Sequence, residues 1–187
     1  AALTPEANIT VYDTHVVSAT LGWLVEAAGR AARAGWDAPR IIALLDSIAP
    51  QTDFVFTVPS LRYLVHGGRI SHLKGLLGTA LGIKPMIGID TTTGKLTQAG
   101  QARTMKAAMD GMLAHMAKKQ APGTALRVQT LHANNPESVQ ALHDLVDQRY
   151  ACTWMPAGSI SPVLGAHTGP GVVGVFYAPM TAFADVP

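Results

Sequence analysis

Short apolar runs that suit buried strands alternate with longer segments of helical periodicity, and this alternation limits the choice of fold more than any single motif. In the first third of the chain, residues 9–12 predict a strand and residues 18–34 a helix. A second helix is predicted to begin after Asp37, which suits an N-cap. Residues 53–58 then predict a buried strand. This order of strands and helices indicates an α/β protein.

Two consecutive glycines mark the end of the next predicted helix, which covers residues 60–67. Gly67 and Gly68 allow backbone conformations closed to other residues and leave room for a close neighbour, and Arg69 follows at once. A second glycine-rich turn surrounds His167. Each turn presents a polar group from an apolar chain. The pattern predicts a binding site without identifying its ligand.

The rest of the chain continues the alternation and contains a predicted β-hairpin. Residues 73–81 predict a helical stretch, and residues 103–119 a long helix whose methionine stripe fits core packing better than a ligand pocket. The strands of the hairpin are predicted over 83–89 and 96–101. The later elements are predicted as strands over 126–132, 152–155 and 172–177 and a helix over 136–148. A boundary near residue 80 would divide the chain into domains 1–80 and 81–187.

Composition excludes several classes of function. Hydrophobic residues make up 48% of the 187 residues and charged residues only 14%, which fits a large core, an apolar pocket or both. The net charge of +2, without a basic cluster among aromatics, gives no support for nucleic-acid binding. Cys152 is the only cysteine and the histidines lack metal-ligand spacing, so no disulfide or metal site is expected. We expect no membrane span and no signal peptide, and therefore a cytoplasmic protein.

The order and spacing of several motifs resemble the DegV family over almost the whole chain. The matching segments are Asp13-Thr-His-Val-Val-Ser18, Phe54-Val-Phe-Thr-Val58, Leu61-Arg-Tyr-Leu64, His66-Gly-Gly-Arg-Ile-Ser71, Leu81-Gly-Ile-Lys-Pro-Met86, Arg103 and Gly165-Ala-His-Thr-Gly-Pro-Gly171. The resemblance implies a two-domain EDD/DegV-like α/β architecture, with the hairpin in the second domain. The family's N-terminal segment has no counterpart here, so the first domain is expected to be incomplete, in a fragment or a short form.

The resemblance also implies a function. Proteins of this family bind one long-chain fatty acid, such as palmitate or oleate, between two domains. Those in fatty acid kinase systems present its carboxylate to a separate kinase catalytic subunit. On this interpretation the chain is a carrier and not an enzyme, and it needs no cofactor. The sequence agrees, since it contains no phosphate-binding P-loop, zinc-protease motif or serine-nucleophile turn.

A buried carboxylate needs several hydrogen-bond donors, and the resemblance suggests which residues supply them. Ser18 and His167 are expected to hold the carboxylate, and Thr20 stands where the family usually has glycine. The expected fatty acid-binding set comprises Ser18, Thr20, Gly68, Arg69, His167 and Gly169. Arg69 and Arg103 are expected at the mouth of the pocket or at the kinase interface, with Arg103 making the partner contact.

Simpler roles and other functions remain open at this stage. Ser18 can be a helix N-cap, His167 an ordinary loop histidine, and Arg69 a cap for helical carbonyls. The chain can also be a small-substrate enzyme of the dihydroxyacetone kinase-like architecture, although it lacks the acidic clusters that hold Mg²⁺. A third possibility is a lipid-sensing interaction module.

Overall fold

The computed structural model describes residues 7–70, 73 and 82–187. Its helices are α1 (Ser18–Arg33), α2 (Ala38–Ile48), α3 (Arg62–His66), α4 (Met105–Met116), α5 (Pro136–Asp147) and α6 (Pro162–Thr168). Its strands are β1 (Asp53–Thr57), β2 (Lys84–Asp90), β3 (Lys95–Ala102), β4 (Ala125–His132), β5 (Ala151–Trp154), β6 (Gly158–Ser159) and β7 (Val173–Pro179). Short 3-10 helices follow α2 and β7.

One mixed sheet organises the described residues, with strand order β3-β2-β1-β7-β4-β5 and the short β6 beside β4. β1 pairs antiparallel with β2 on one side and with β7 on the other. Every residue of β1 is buried, as expected for a central strand covered on both faces. β1 precedes residue 80 in the chain and the other strands follow it, so this sheet joins both predicted domains; the boundary itself stays a prediction.

Alternation along the central strands sends side chains into two separate cores. On one face, Val55 and Tyr177 pack beneath α4 and α5. Met109, Met112 and Met116 belong to this core and Met105 packs against it, as the methionine stripe predicted. On the other face, Phe54, Phe56, Ile87, Ile89 and Phe176 form a second core with residues of α1.

Helices α1 and α2 pack against each other through a third apolar cluster that includes Leu24, Leu45 and Ile48. The predicted cap of α2 is confirmed: Asp37 Oδ1 accepts a hydrogen bond from the Arg40 backbone N–H at 3.0 Å. Arg40 also lies over the Trp36 ring, with 3.6 Å between the guanidinium carbon and the ring centroid. These two contacts order the start of α2 and the short segment that precedes it.

Three predictions about local structure were wrong or incomplete. Residues 9–12 form no strand, and Ile9 and Val11 are 48% and 85% exposed, because no described strand pairs with them. The predicted glycine-rich turn at residues 165–171 begins inside α6, and the two-residue β6 was not foreseen. Apart from Leu73, the helical stretch predicted over 73–81 lies outside the described residues.

No helix in the described part of the chain combines the length and apolar character that a membrane crossing requires.

A candidate ligand-binding cavity

An apolar cavity of about 340 Å³ lies on the Phe54 face of the sheet. Its volume falls in the lower part of the range of small-molecule pockets, roughly 300–1,000 Å³. Aromatic rings of the central strands and aliphatic side chains around them form most of its wall: Phe54, Phe56, Phe176, Leu64, Ile89, Leu96, Leu131, Ile160, Leu164 and Val172. Ser18, Arg69, His167 and Thr168 are the polar side chains that line it among the described residues. A mainly apolar ligand with one polar group fits such a surface.

Gly174 opens the floor of this cavity at the centre of the sheet. The residue faces Phe56 on β1 and Leu131 on β4, so it occupies the middle of a row across three strands. A Cβ at this position would stand 2.9 Å from the Cβ of Phe56, which is closer than real contacts allow. Glycine therefore permits Phe56 to approach β7 and leaves the space above the central strand empty.

Ser18 is the first residue of α1, and it lines the cavity. Its φ of 62° is in the left-handed region, which is uncommon and costly for a residue other than glycine. The N-cap of α1 is Val17, and no side chain makes a capping bond there, so the interpretation of Ser18 as the N-cap was wrong. Strained backbone of this kind concentrates at functional sites, which favours a role for Ser18 in the cavity.

Thr20 lies two residues further along α1 but does not line the cavity. It is fully buried, and its hydroxyl donates a hydrogen bond of 2.8 Å to the Val17 carbonyl oxygen. That bond satisfies one of the carbonyl groups at the start of the helix. The structure thus gives Thr20 a local role beside the site instead of a position in it.

His167 enters the cavity from α6 and not from a loop. Its Nδ1 atom is buried and has no hydrogen-bond partner among the described residues. Buried polar atoms are usually paired, so a buried nitrogen without a partner is unusual. The imidazole ring packs against Gly67, where a Cβ would overlap Nδ1.

The two glycines after α3 form a Schellman turn that carries Arg69 to the cavity. The Arg69 backbone N–H donates to Leu64 O at 2.9 Å, and the Gly68 N–H donates to Val65 O at 3.1 Å. Gly68 has a φ of 71°, as this turn requires, and does not itself line the cavity. Arg69 Nη1 donates to Gly67 O at 2.9 Å. Arg69 therefore caps the end of α3, as the simpler interpretation held, and also lines the cavity.

The remaining predicted site residues lie outside the cavity lining. Gly169 follows α6 with a φ of 79°, and its Cα packs against the ring of Tyr63. Arg103 is exposed in the short connection between β3 and α4. The sequence prediction thus named Ser18, Arg69 and His167, which the cavity brings together, and it singled out Gly67 as leaving room for a neighbour, but it missed Gly174 as a residue that shapes the cavity. Gly67 was visible as the first of the paired glycines, whereas nothing in the sequence identified Gly174.

A second polar cluster lies on the opposite face of the sheet. The Asp53 carboxylate is buried, and Tyr177 Oη and Lys119 Nζ donate to its Oδ2 at 2.8 and 2.9 Å. His115 Nε2 lies 3.5 Å from the same oxygen. Burial alone would raise the pKa of Asp53, but the neighbouring His115, Lys119 and Tyr177 side chains outweigh it and hold the pKa below its ordinary value of 3.8. This cluster fastens the end of α4 to β1 and β7.

No group of three or more metal-ligating side chains occurs within residues 7–70, 73 and 82–187. Arginine, serine and histidine around an apolar cavity suit an anionic head group more than a cation.

Comparison with known proteins places this architecture in a family. Residues 1–180 match the model of the DegV family, which is described as a family of uncharacterised proteins. A DegV domain-containing protein from Deinococcus radiodurans is 32% identical over 172 residues, which make up 92% of this chain and 60% of that protein. The chain therefore spans about 60% of the length of such a relative.

Two solved structures show the same fold. A DegV family protein from Thermus thermophilus, described by its fatty acid binding, superposes with a TM-score of 0.85 at 26% identity, covering 96% of this chain and 64% of that one. A DegV family protein from Eubacterium eligens, loaded with heptadecanoic acid, gives a TM-score of 0.78 at 19% identity, covering 94% and 62%. The second likeness concerns the fold alone. The family and the α/β fold expected from the sequence are confirmed, and the chain belongs to the DegV family.

Proposed function

We propose that this chain binds a long-chain fatty acid in the cavity on the Phe54 face of the sheet. The observation that carries the proposal is the lining itself, which is almost entirely apolar but includes Ser18, Arg69 and a His167 whose Nδ1 has no partner among the described residues. A fatty acid has the same division between a long apolar chain and one anionic group. The fatty acid binding described for the Thermus thermophilus relative supports the same ligand class.

The carboxylate is proposed to bind at Ser18 and His167. Ser18 is held in a left-handed conformation at the start of α1, and both Ser18 and His167 line the cavity. Hydrogen bonds to an ionised carboxylate are stronger than neutral ones, and each is worth about 1.5–3 kcal/mol. Arg69 adds a positive charge to the lining, although one of its N–H groups already donates to Gly67 O. The apolar chain would then lie over Phe54, Phe56 and Phe176.

We further propose that the bound fatty acid is presented to a kinase catalytic subunit, so that this chain is a carrier without chemistry of its own. No acidic cluster able to hold Mg²⁺ is found in the described residues, and phosphoryl transfer normally needs that metal. Arg103 is exposed at the start of α4 and outside the cavity, which suits a partner contact.

Native mass spectrometry of the purified chain, with identification of the released ligand, tests the binding proposal. One fatty acid per chain is expected, and Ser18→Ala and His167→Ala should each weaken binding of added palmitate or oleate by about tenfold or more. Ser47→Ala on α2 and His143→Ala on α5 are matched controls outside the cavity and should bind like the parent chain. Failure to bind either acid would refute the proposal.

The carrier role needs a separate assay with a bacterial fatty acid kinase catalytic subunit and ATP. Acyl phosphate is expected only when this chain, the fatty acid, the kinase subunit and ATP are all present. Arg103→Ala should slow acyl phosphate formation without changing fatty acid affinity. Lys106→Ala, which removes another exposed positive charge three residues further along the chain, serves as the control. Fatty acid binding without acyl phosphate formation would instead favour the lipid-sensing alternative.

A further inference from the structure

The helices α3 and α6 contact each other through two rings, each packed on a glycine of the other segment. The ring of His167, on α6, lies against Gly67 at the end of α3. The ring of Tyr63, on α3, lies against Gly169 at the end of α6, where a Cβ would overlap three of its ring carbons. The contact is therefore reciprocal, and both glycines are needed for the rings to approach.

Tyr63 is connected to His167 through this arrangement without entering the cavity. Its ring is absent from the cavity lining, whereas its neighbour Leu64 is part of it. The Tyr63 carbonyl oxygen accepts a 2.8 Å hydrogen bond from the Gly67 N–H, so the residue also fixes the backbone that supports the His167 ring. Tyr63 as a whole is 38% exposed, so one part of the residue faces solvent while its ring packs on Gly169.

Neither helix can hold this geometry alone. α3 has 5 residues and α6 has 7, and helices of this length are unstable in isolation because nucleation is costly. The orientation of α6, and with it the direction of the imidazole, must come from packing. The Tyr63 ring provides such a contact, since it packs on Gly169, which directly follows His167 and Thr168 at the end of α6.

We propose that Tyr63 is a positioning residue for His167: its ring on Gly169 sets the imidazole in the direction that receives the ligand's carboxylate. This inference rests on the proposed fatty acid binding and assigns a role to a side chain that does not touch the ligand. The ring provides the packing surface, so Phe can replace Tyr63, while a residue without a planar ring cannot.

Binding of palmitate, compared with binding of its methyl ester, tests the proposal in Tyr63→Leu and Tyr63→Phe variants. Tyr63→Leu should weaken palmitate binding by about tenfold and leave binding of the ester nearly unchanged, because only the acid uses the charge-assisted bond to His167. Tyr63→Phe should behave like the parent chain. In a His167→Ala background, Tyr63→Leu should cause no further loss. Equal losses for acid and ester, or additive losses in the double variant, would overturn the proposal.

The imidazole NMR signals of His167 give a second measurement that needs no ligand. They should shift in Tyr63→Leu and stay in place in Tyr63→Phe and in the control Val65→Ala, which alters a more exposed residue of the same helix. Unchanged His167 signals in Tyr63→Leu would refute the positioning role. If Tyr63→Leu does not fold, Tyr63→Met, which keeps more apolar volume, provides the same comparison. A parent chain that binds no palmitate refutes the proposed function, while the NMR result still decides the role of Tyr63.

Discussion

Substituting alanine for each of two adjacent glycines should impair different properties of the protein, and this pair of variants tests the description of the site most directly. Gly67 has an ordinary φ of −78°, but a Cβ there would overlap the His167 ring. Gly68 has a φ of 71°, and a Cβ there would meet nothing within 4 Å. One position is therefore restricted by a neighbour and the other by its own backbone.

The magnitudes follow from these two restrictions. Placing a Cβ in the left-handed region costs about 1–2 kcal/mol, and the lower entropy of the unfolded alanine chain returns about 0.5–1 kcal/mol. Gly68→Ala should thus lower the free energy of unfolding by about 0.5–1 kcal/mol and leave fatty acid affinity close to that of the parent chain. Gly67→Ala has no such backbone cost, but it must displace the imidazole. The loss of one hydrogen bond to a carboxylate, about 1.5–3 kcal/mol, corresponds to an affinity loss of tenfold or more.

Urea denaturation and titration with palmitate measure the two quantities in each variant. The expected pattern is a stability loss for Gly68→Ala and an affinity loss for Gly67→Ala. The reasoning would be refuted by a Gly67→Ala variant that binds palmitate like the parent chain, since the His167 ring could then not occupy the space beside Gly67. It would equally fail if Gly68→Ala lost mainly affinity, because the turn would then contribute to the ligand contact itself.

Three further predictions concern Ser18, Asp53 and Cys152. Ser18→Gly should be about 0.5–1 kcal/mol more stable than Ser18→Ala, because glycine relieves the φ of 62°, and both should bind palmitate weakly; a less stable glycine variant would contradict the backbone strain. The pKa of Asp53 is lower in the folded protein than its value near 3.8 in the unfolded chain, so the ionised carboxylate stabilises the fold fully above pH 3.8. This contribution is lost as the pH falls through the pKa of the folded protein. In urea titrations at several pH values, acid should therefore destabilise the parent chain more than Asp53→Asn. Burial is the main reason, and the neighbouring Asp147 the second, that the pKa of the Cys152 thiol rises to about 12. Alkylation at pH 8 should therefore be much slower in the folded chain than in urea. Equal alkylation rates in the two conditions would contradict this environment for Cys152.

The sequence predicted those parts of the fold that depend on local pattern. The buried run at residues 53–58 became β1, Asp37 caps α2, and the methionines of α4 face the core, because each signal reflects one element and its own neighbours. Residues 9–12 have the composition of a strand but lack a described partner, and pairing is not a local property. Local pattern also failed at α6, whose 7 residues depend on packing against α3.

The candidate site likewise contains residues that motifs in the sequence identified and residues whose role depends on tertiary contacts. Ser18, Arg69 and His167 were found through family motifs, and the cavity brings them together. Thr20 was expected there too, but its hydroxyl bonds the Val17 carbonyl at 2.8 Å, an alternative that side-chain type cannot reveal. Gly174 was missed because its importance depends on the register that sets it between Phe56 and Leu131.

Each face of the central sheet carries its own group of buried polar side chains. On the α4 face, the Asp53 carboxylate is buried with Tyr177 and Lys119 as donors, which is the condition under which a buried charge is tolerated. On the cavity face, His167 keeps a buried nitrogen without a partner among the described residues, and Ser18 keeps a strained backbone. A buried polar atom without a partner and a strained backbone both cost stability. Thr57 Oγ1, Thr130 Oγ1 and both ring nitrogens of His115 are likewise buried on the α4 face without a partner among the described residues, so the left-handed backbone of Ser18 beside an apolar cavity is the feature that distinguishes the other face.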